Sequence, residues 1–104
     1  MRITRSQLLS ALAALAFSSA AQADLQLAST KNCMVCHAVD KKVVGPSFMS
    51  VAEKYAGKTD AAATLEAKVL KGGAGVWGPV PMPANGQVTA AEAKKLVAWV
   101  LAQK

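Results

Sequence analysis

The residues with the most chemistry in this 104-residue chain stand in one pentapeptide, Cys33-Met34-Val35-Cys36-His37. Two cysteines separated by two residues, with a histidine directly after the second, form the attachment signature of a covalently bound haem. Two thiols add to the two vinyl groups on one side of a porphyrin, and the two intervening residues span that gap. The next residue then falls under the ring, where the His37 imidazole can give a nitrogen to the iron. The chain has 2 cysteines and 1 histidine in all. Bis-histidine ligation is therefore excluded, and a second axial ligand has to be another residue type.

Met34, Met49 and Met82 are the methionines that follow the N-terminal region. Met34 lies between the attachment cysteines and is tethered to the His37 side of the ring. Met49 falls on an amphipathic pattern, where methionine usually fills core gaps. Met82 is flanked by Pro81 and Pro83, which fix φ and remove amide donors. A thioether held this stiffly has little entropy left to lose on binding iron. With the attachment motif 45 residues upstream, Met82 is the expected sixth ligand. A thioether is soft and neutral, so it favours ferrous iron and raises the reduction potential. With both axial positions filled by protein, no site remains for oxygen or substrate. One-electron transfer is then the expected activity.

These groups need elements to hold them, and the pattern reads as helical. Leu25, Leu27 and Ala28 open a short amphipathic segment, capped at Asp24 or a neighbour, that runs into the motif. Pro46 suits the first turn of a helix, and Phe48, Met49, Val51, Ala52 and Tyr55 recur at helical spacing until Gly57. Asp60 or Thr59 caps the next helix, which turns Leu65, Val69 and Leu70 inward and stops at Gly72-Gly73. Residues 72–88 hold three prolines and five glycines and form a long loop. Trp77, Val80 and Met82 suit a loop packed on something rather than a linker. Thr89-Ala90-Ala91-Glu92 is a capping box. It opens a last helix with Ala93, Leu96, Val97 and Val100 on one face and Lys104 in its final turn. No strand pattern or internal repeat is evident.

Residues 1–23 have the form of a cleaved signal peptide. Arg2 and Arg5 are followed by an apolar run from Leu8 to Phe17 and by Ala21-Gln22-Ala23. That run is too short for a membrane span, which needs about 20 apolar residues. Removal of this segment leaves one domain, residues 24–104, and implies export to the periplasm. An 81-residue domain has a small core and usually needs a staple, which a buried porphyrin would supply. The precursor carries a net charge of +6; the shorter chain keeps ten lysines against six acids. No basic run is interleaved with aromatics, so nucleic-acid binding is not expected. Lys31, Lys41 and Lys42 flank the motif and would form a positive rim that steers an acidic redox partner.

Three rival readings stand beside this one. A CxxC pair can be a thiol–disulfide oxidoreductase, which expects a βαβ fold. A haem with an open sixth position could bind a gas or peroxide, against which Met82 argues. Two thiols and one imidazole could contribute to a zinc site, although no fourth ligand is evident.

The motif, Val44-Gly45-Pro46 and Gly75-Val76-Trp77-Gly78-Pro79-Val80-Pro81-Met82-Pro83-Ala84-Asn85 resemble the small bacterial class I cytochromes c of the c-551/c-552 type. Lys54-Tyr55-Ala56-Gly57 and Ala98-Trp99-Val100-Leu101 extend the resemblance over residues 24–104. It implies an all-α fold, the class I cytochrome c fold, with four to five short helices around one covalently bound haem. It implies a soluble monohaem electron carrier that is not an enzyme, acts as a monomer and exchanges electrons with periplasmic or membrane-bound partners. Cys33 and Cys36 would attach one haem c, and His37 and Met82 would ligate the iron. The Pro46 carbonyl would accept a hydrogen bond from the free His37 ring nitrogen and fix its orientation. Asn85 would donate to the methionine sulfur, and the Trp77 indole N–H to a haem propionate. Trp99 is expected in plain core packing. Lys68 stands where relatives can carry an arginine that reaches a propionate, and lysine lacks the bidentate fork.

Overall fold

Alanine-rich sequence at 20–23 is a strong helix former, and it carries the first helix straight through Asp24. The computed structural model describes residues 20–104; the leading part of the signal-peptide reading, residues 1–19, lies outside the described residues. Residues 20–30 form helix α1, so Asp24 is an interior residue of the full-length chain and not a cap. Ala28 is fully buried, Leu27 packs against the core, and Leu25 is exposed. The single turn α2, Cys33–Cys36, follows. Asn32 enters it with φ 67, a left-handed conformation that asparagine tolerates better than most residues.

Helix α3 spans Phe48–Tyr55. Its cap is Ser47, whose hydroxyl accepts from Ser50 N at 3.0 Å. Pro46 therefore lies before the helix and not in its first turn, which leaves its carbonyl free for other work. Phe48, Val51 and Ala52 are buried. Helix α4, Ala61–Lys71, ends at Gly72, where φ is 75. Asp60 occupies its N-cap position without a side-chain capping bond. Helix α5 spans Ala90–Leu101 and opens on the expected capping box. Thr89 N donates to Glu92 Oε1 at 3.0 Å, and Glu92 N donates to Thr89 Oγ1 at 3.1 Å. Lys104 lies beyond the end of this helix.

Helix α5 packs against both α3 and α4. Ala28, Phe48, Val88, Ala93, Leu96 and Trp99 make one buried cluster. Phe48 meets Trp99 edge to face, with ring centroids 5.4 Å apart. Among the described residues there is no strand, only two isolated bridges, and five helices make the fold. No described helix is long and apolar enough to cross a membrane.

Candidate haem site

Backbone hydrogen bonds fold the chain after the attachment turn back on itself. Val44 N and Gly45 N both donate to Cys36 O, at 3.1 and 2.8 Å. Phe48 N and Met49 N donate to Ala38 O and Val39 O. This return places Pro46 beside His37. The His37 Nδ1 lies 2.7 Å from Pro46 O. A carbonyl oxygen only accepts, so Nδ1 carries the proton and Nε2 keeps its lone pair. The His37 ring stacks on Phe48 with centroids 5.0 Å apart and an interplanar angle of 22°. Its other neighbour is Gly45, where a Cβ would come within 2.5 Å of the ring. The imidazole is thus clamped from several directions, with one nitrogen available.

The loop 72–88 is organised around Met82. Gly73 N donates to Met82 O at 3.0 Å, and Met82 N donates to Gly73 O at 2.8 Å. Gly72 makes this approach possible: a Cβ there would sit 2.5 Å from Met82 O and 2.8 Å from Ala84 N. Asn85 N and Asn85 Nδ2 both donate to Val69 O, at 3.1 and 2.9 Å. Asn85 Nδ2 also donates to Pro83 O at 3.3 Å. The expected donation to the methionine sulfur is therefore not made in this structure. Val69 O is one of the last carbonyls of α4 and has no partner within the helix, and a carbonyl is a far better acceptor than a thioether. Lys54 Nζ lies 5.3 Å from the Trp77 ring centroid and ties the loop to α3.

A cavity of about 710 Å³ collects these groups. Cys33, Cys36, His37, Pro46, Trp77, Met82 and Asn85 all line it. Met49 does not; it borders a separate cleft beside Ser50 and Gln103. Met34 packs against the core cluster instead. Lys68 lines the cavity, with its side chain lying against Gly73. Val35, Val44, Val76 and Val80 are exposed although they line the same cavity. Val35 and Val80 are 69% and 62% exposed, so the protein alone does not complete its apolar core. An apolar group of porphyrin size, with thiols, an imidazole and a thioether at its edge, fits this cavity.

Several residues that shape the cavity carry no local signal of that role. Gly45 was legible only as part of the Val44-Gly45-Pro46 motif, and Gly72-Gly73 only as a helix stop. Phe48 fitted the core pattern without announcing that it stacks on His37. Of the three lysines expected to form a positive rim, Lys31 has an acidic partner in the fold: its Nζ pairs with Glu92 Oε2 at 3.2 Å. Lys41 and Lys42 remain exposed.

The sequence profile of the cytochrome c family matches residues 25–104. The chain belongs to the cytochrome c family. It is of the small class I c-551/c-552 type. Cytochrome c-551 of Azotobacter vinelandii is 56% identical over 79 residues, covering 76% of this chain and 95% of that protein. The crystal structure of wild-type Nitrosomonas europaea cytochrome c552 is 49% identical, with a TM-score of 0.75, and covers 77% of this chain and 99% of that chain. The class 1 cytochrome MtoD of Sideroxydans lithotrophicus ES-1 is 38% identical with a TM-score of 0.67, covering 83% of this chain and 95% of that chain. This cytochrome is a monohaem electron carrier with one covalent haem c, and its two cysteines stand in the CxxCH motif.

Two of the three rival readings find no support in the structure. Burial pushes the Cys33 thiol above its ordinary value, the reverse of what a reactive dithiol needs. Among the described residues no three histidine, cysteine or acidic side chains gather as a metal site.

Proposed function

We propose that this cytochrome shuttles single electrons between redox proteins of the periplasm, with His37 and Met82 as the axial ligands of its iron. Residues 1–23 serve as the export signal, and residues 24–104 are the working, monomeric domain. Cys33 and Cys36 hold the haem through thioether bonds. The bound haem supplies an iron that cycles between Fe(III) and Fe(II).

The observation that carries this reading is the meeting of His37 and Met82 on one cavity, with Met49 elsewhere. Pro46 holds His37 in the tautomer whose Nε2 can bind metal and fixes the orientation of its ring. The Gly73 bridge anchors the Met82 backbone at the edge of the cavity. Trp77 lines the cavity and can turn its indole N–H to a propionate. Both ligands come from the protein, so the site does no chemistry on a substrate and the cytochrome is not an enzyme. Lys41 and Lys42 keep a positive surface beside the motif for an acidic donor or acceptor.

A redox titration with optical detection on the exported protein tests the whole reading. A low-spin spectrum and one reversible one-electron wave are expected. A high-spin ferric form that binds cyanide or carbon monoxide rapidly at neutral pH would overturn Met82 as ligand. A protein with no Soret band would overturn the haem itself.

A further inference from the structure

One polar network near the cavity is unused by the ligand assignment. Gln87 Nε2 donates to Lys31 O at 2.9 Å and to Asn85 Oδ1 at 3.2 Å. In return, Lys31 Nζ donates to the Gln87 carbonyl at 3.0 Å. Lys31 lies two residues before the attachment turn, and Gln87 lies five residues past Met82. The partners fix which way both amides face. Val69 O and Pro83 O are acceptors, so Asn85 turns its amino group to them and its oxygen away. That oxygen and Lys31 O are acceptors as well, so Gln87 meets them with its amino group. Each end of the network is therefore specified by chemistry rather than by shape.

We infer that Gln87 is a positioning residue for the sixth-ligand loop, tying Asn85 to the segment that leads into the attachment motif. The brace joins the two stretches that carry the two iron ligands. When Met82 leaves the iron, residues 83–88 shift with it and the brace opens. Gln87 thereby slows the loss of Met82 without touching the haem. The inference rests on Met82 as the sixth ligand.

Cyanide binding to the ferric holoprotein reads this directly, because Met82 has to leave before cyanide enters. Gln87→Leu removes both donated bonds at similar volume, and Gln87→Glu keeps the shape but faces two oxygens with a carboxylate. Each lost bond is exposed, so the expected acceleration is roughly three- to tenfold in both variants. The denaturant midpoint of helix content, taken on the same samples, separates a local from a general effect. An unchanged cyanide rate in both variants, or one that merely follows a lower denaturant midpoint, overturns the brace. Rapid cyanide binding by the unaltered protein overturns Met82 ligation instead, whatever the variants do.

Discussion

The two sides of the cavity are built in opposite ways. On the His37 side, residues 33–48 are contiguous and hold one another: Cys36 O takes two amides, Ala38 and Val39 hold the start of α3, and Pro46 holds the ring. On the Met82 side, residues 72–88 lean on distant segments. Lys54 is in α3, Val69 in α4, and Lys31 lies 56 residues from Gln87. Local contacts close cheaply in entropy, and long-range ones depend on the rest of the fold being in place. On that contrast the histidine side should be the permanent one and the methionine side the one to open first.

His37→Ala gives the largest break. It removes the ring that Pro46, Gly45 and Phe48 surround and should leave little or no protein with covalent haem, measured as haem per exported chain. Normal haem content in that variant would show that the motif needs only its thiols. Met82→Ala comes next and should keep the haem. Its ferric spectrum should turn high-spin, its potential should fall, and cyanide should bind without the delay of the unaltered protein. An unchanged spectrum and potential would move the ligand assignment to Met49, despite its place on another cleft.

Gly45→Ala is a smaller test of the same contrast. Its Cβ would fall 2.5 Å from His37 Cε1 and 2.9 Å from Nδ1. The ring or the return of the chain has to give, at a cost of about 1–3 kcal/mol. The loss should appear in the denaturant midpoint and in the histidine environment by NMR, while the methionine–iron absorption stays. If methionine absorption is lost first, the two sides are more tightly coupled than their separate contacts imply.

The chemistry of the site was legible in the sequence because it rests on residue types that are scarce. One histidine, one CxxC and one methionine between prolines leave few ways to build a haem site. Helices α3, α4 and α5 were legible because apolar spacing is a local signal, as is the capping box that opens α5. The contacts that position the ligands were not. Gly45 beside His37, Gly73 paired with Met82, and Gln87 bonded to Lys31 are all set by the fold, and nothing local marks them. Asn85 shows the same limit. Its presence was readable, but the orphan carbonyl of Val69 that captures its amide belongs to another helix. Lys31 read as a surface charge because its partner, Glu92, lies far along the chain.

The smallest effect concerns the point where the methionine loop ends. Thr89 caps α5 directly behind residues 72–88, so loosening that cap should reach the methionine side and spare the histidine side. Thr89→Ala removes the acceptor for Glu92 N and should cost about 1 kcal/mol of stability. The cap also has a pH signature. The Thr89 amide, and after it Lys31, hold the Glu92 carboxyl below its ordinary value of 4.5. A carboxyl whose value is lower in the folded chain binds protons more readily when unfolded. Its contribution is therefore complete above the ordinary value and is lost as the pH falls through the lowered one. Glu92→Gln should flatten the stability profile just below pH 4.5 and leave neutral pH nearly unchanged. Glu92 is exposed to solvent screening, so the change is small and should be clearest at low salt. An acid transition in which the His37 and Met82 signals move together in both variants would show that the cap serves the whole domain, and that the two sides do not open separately.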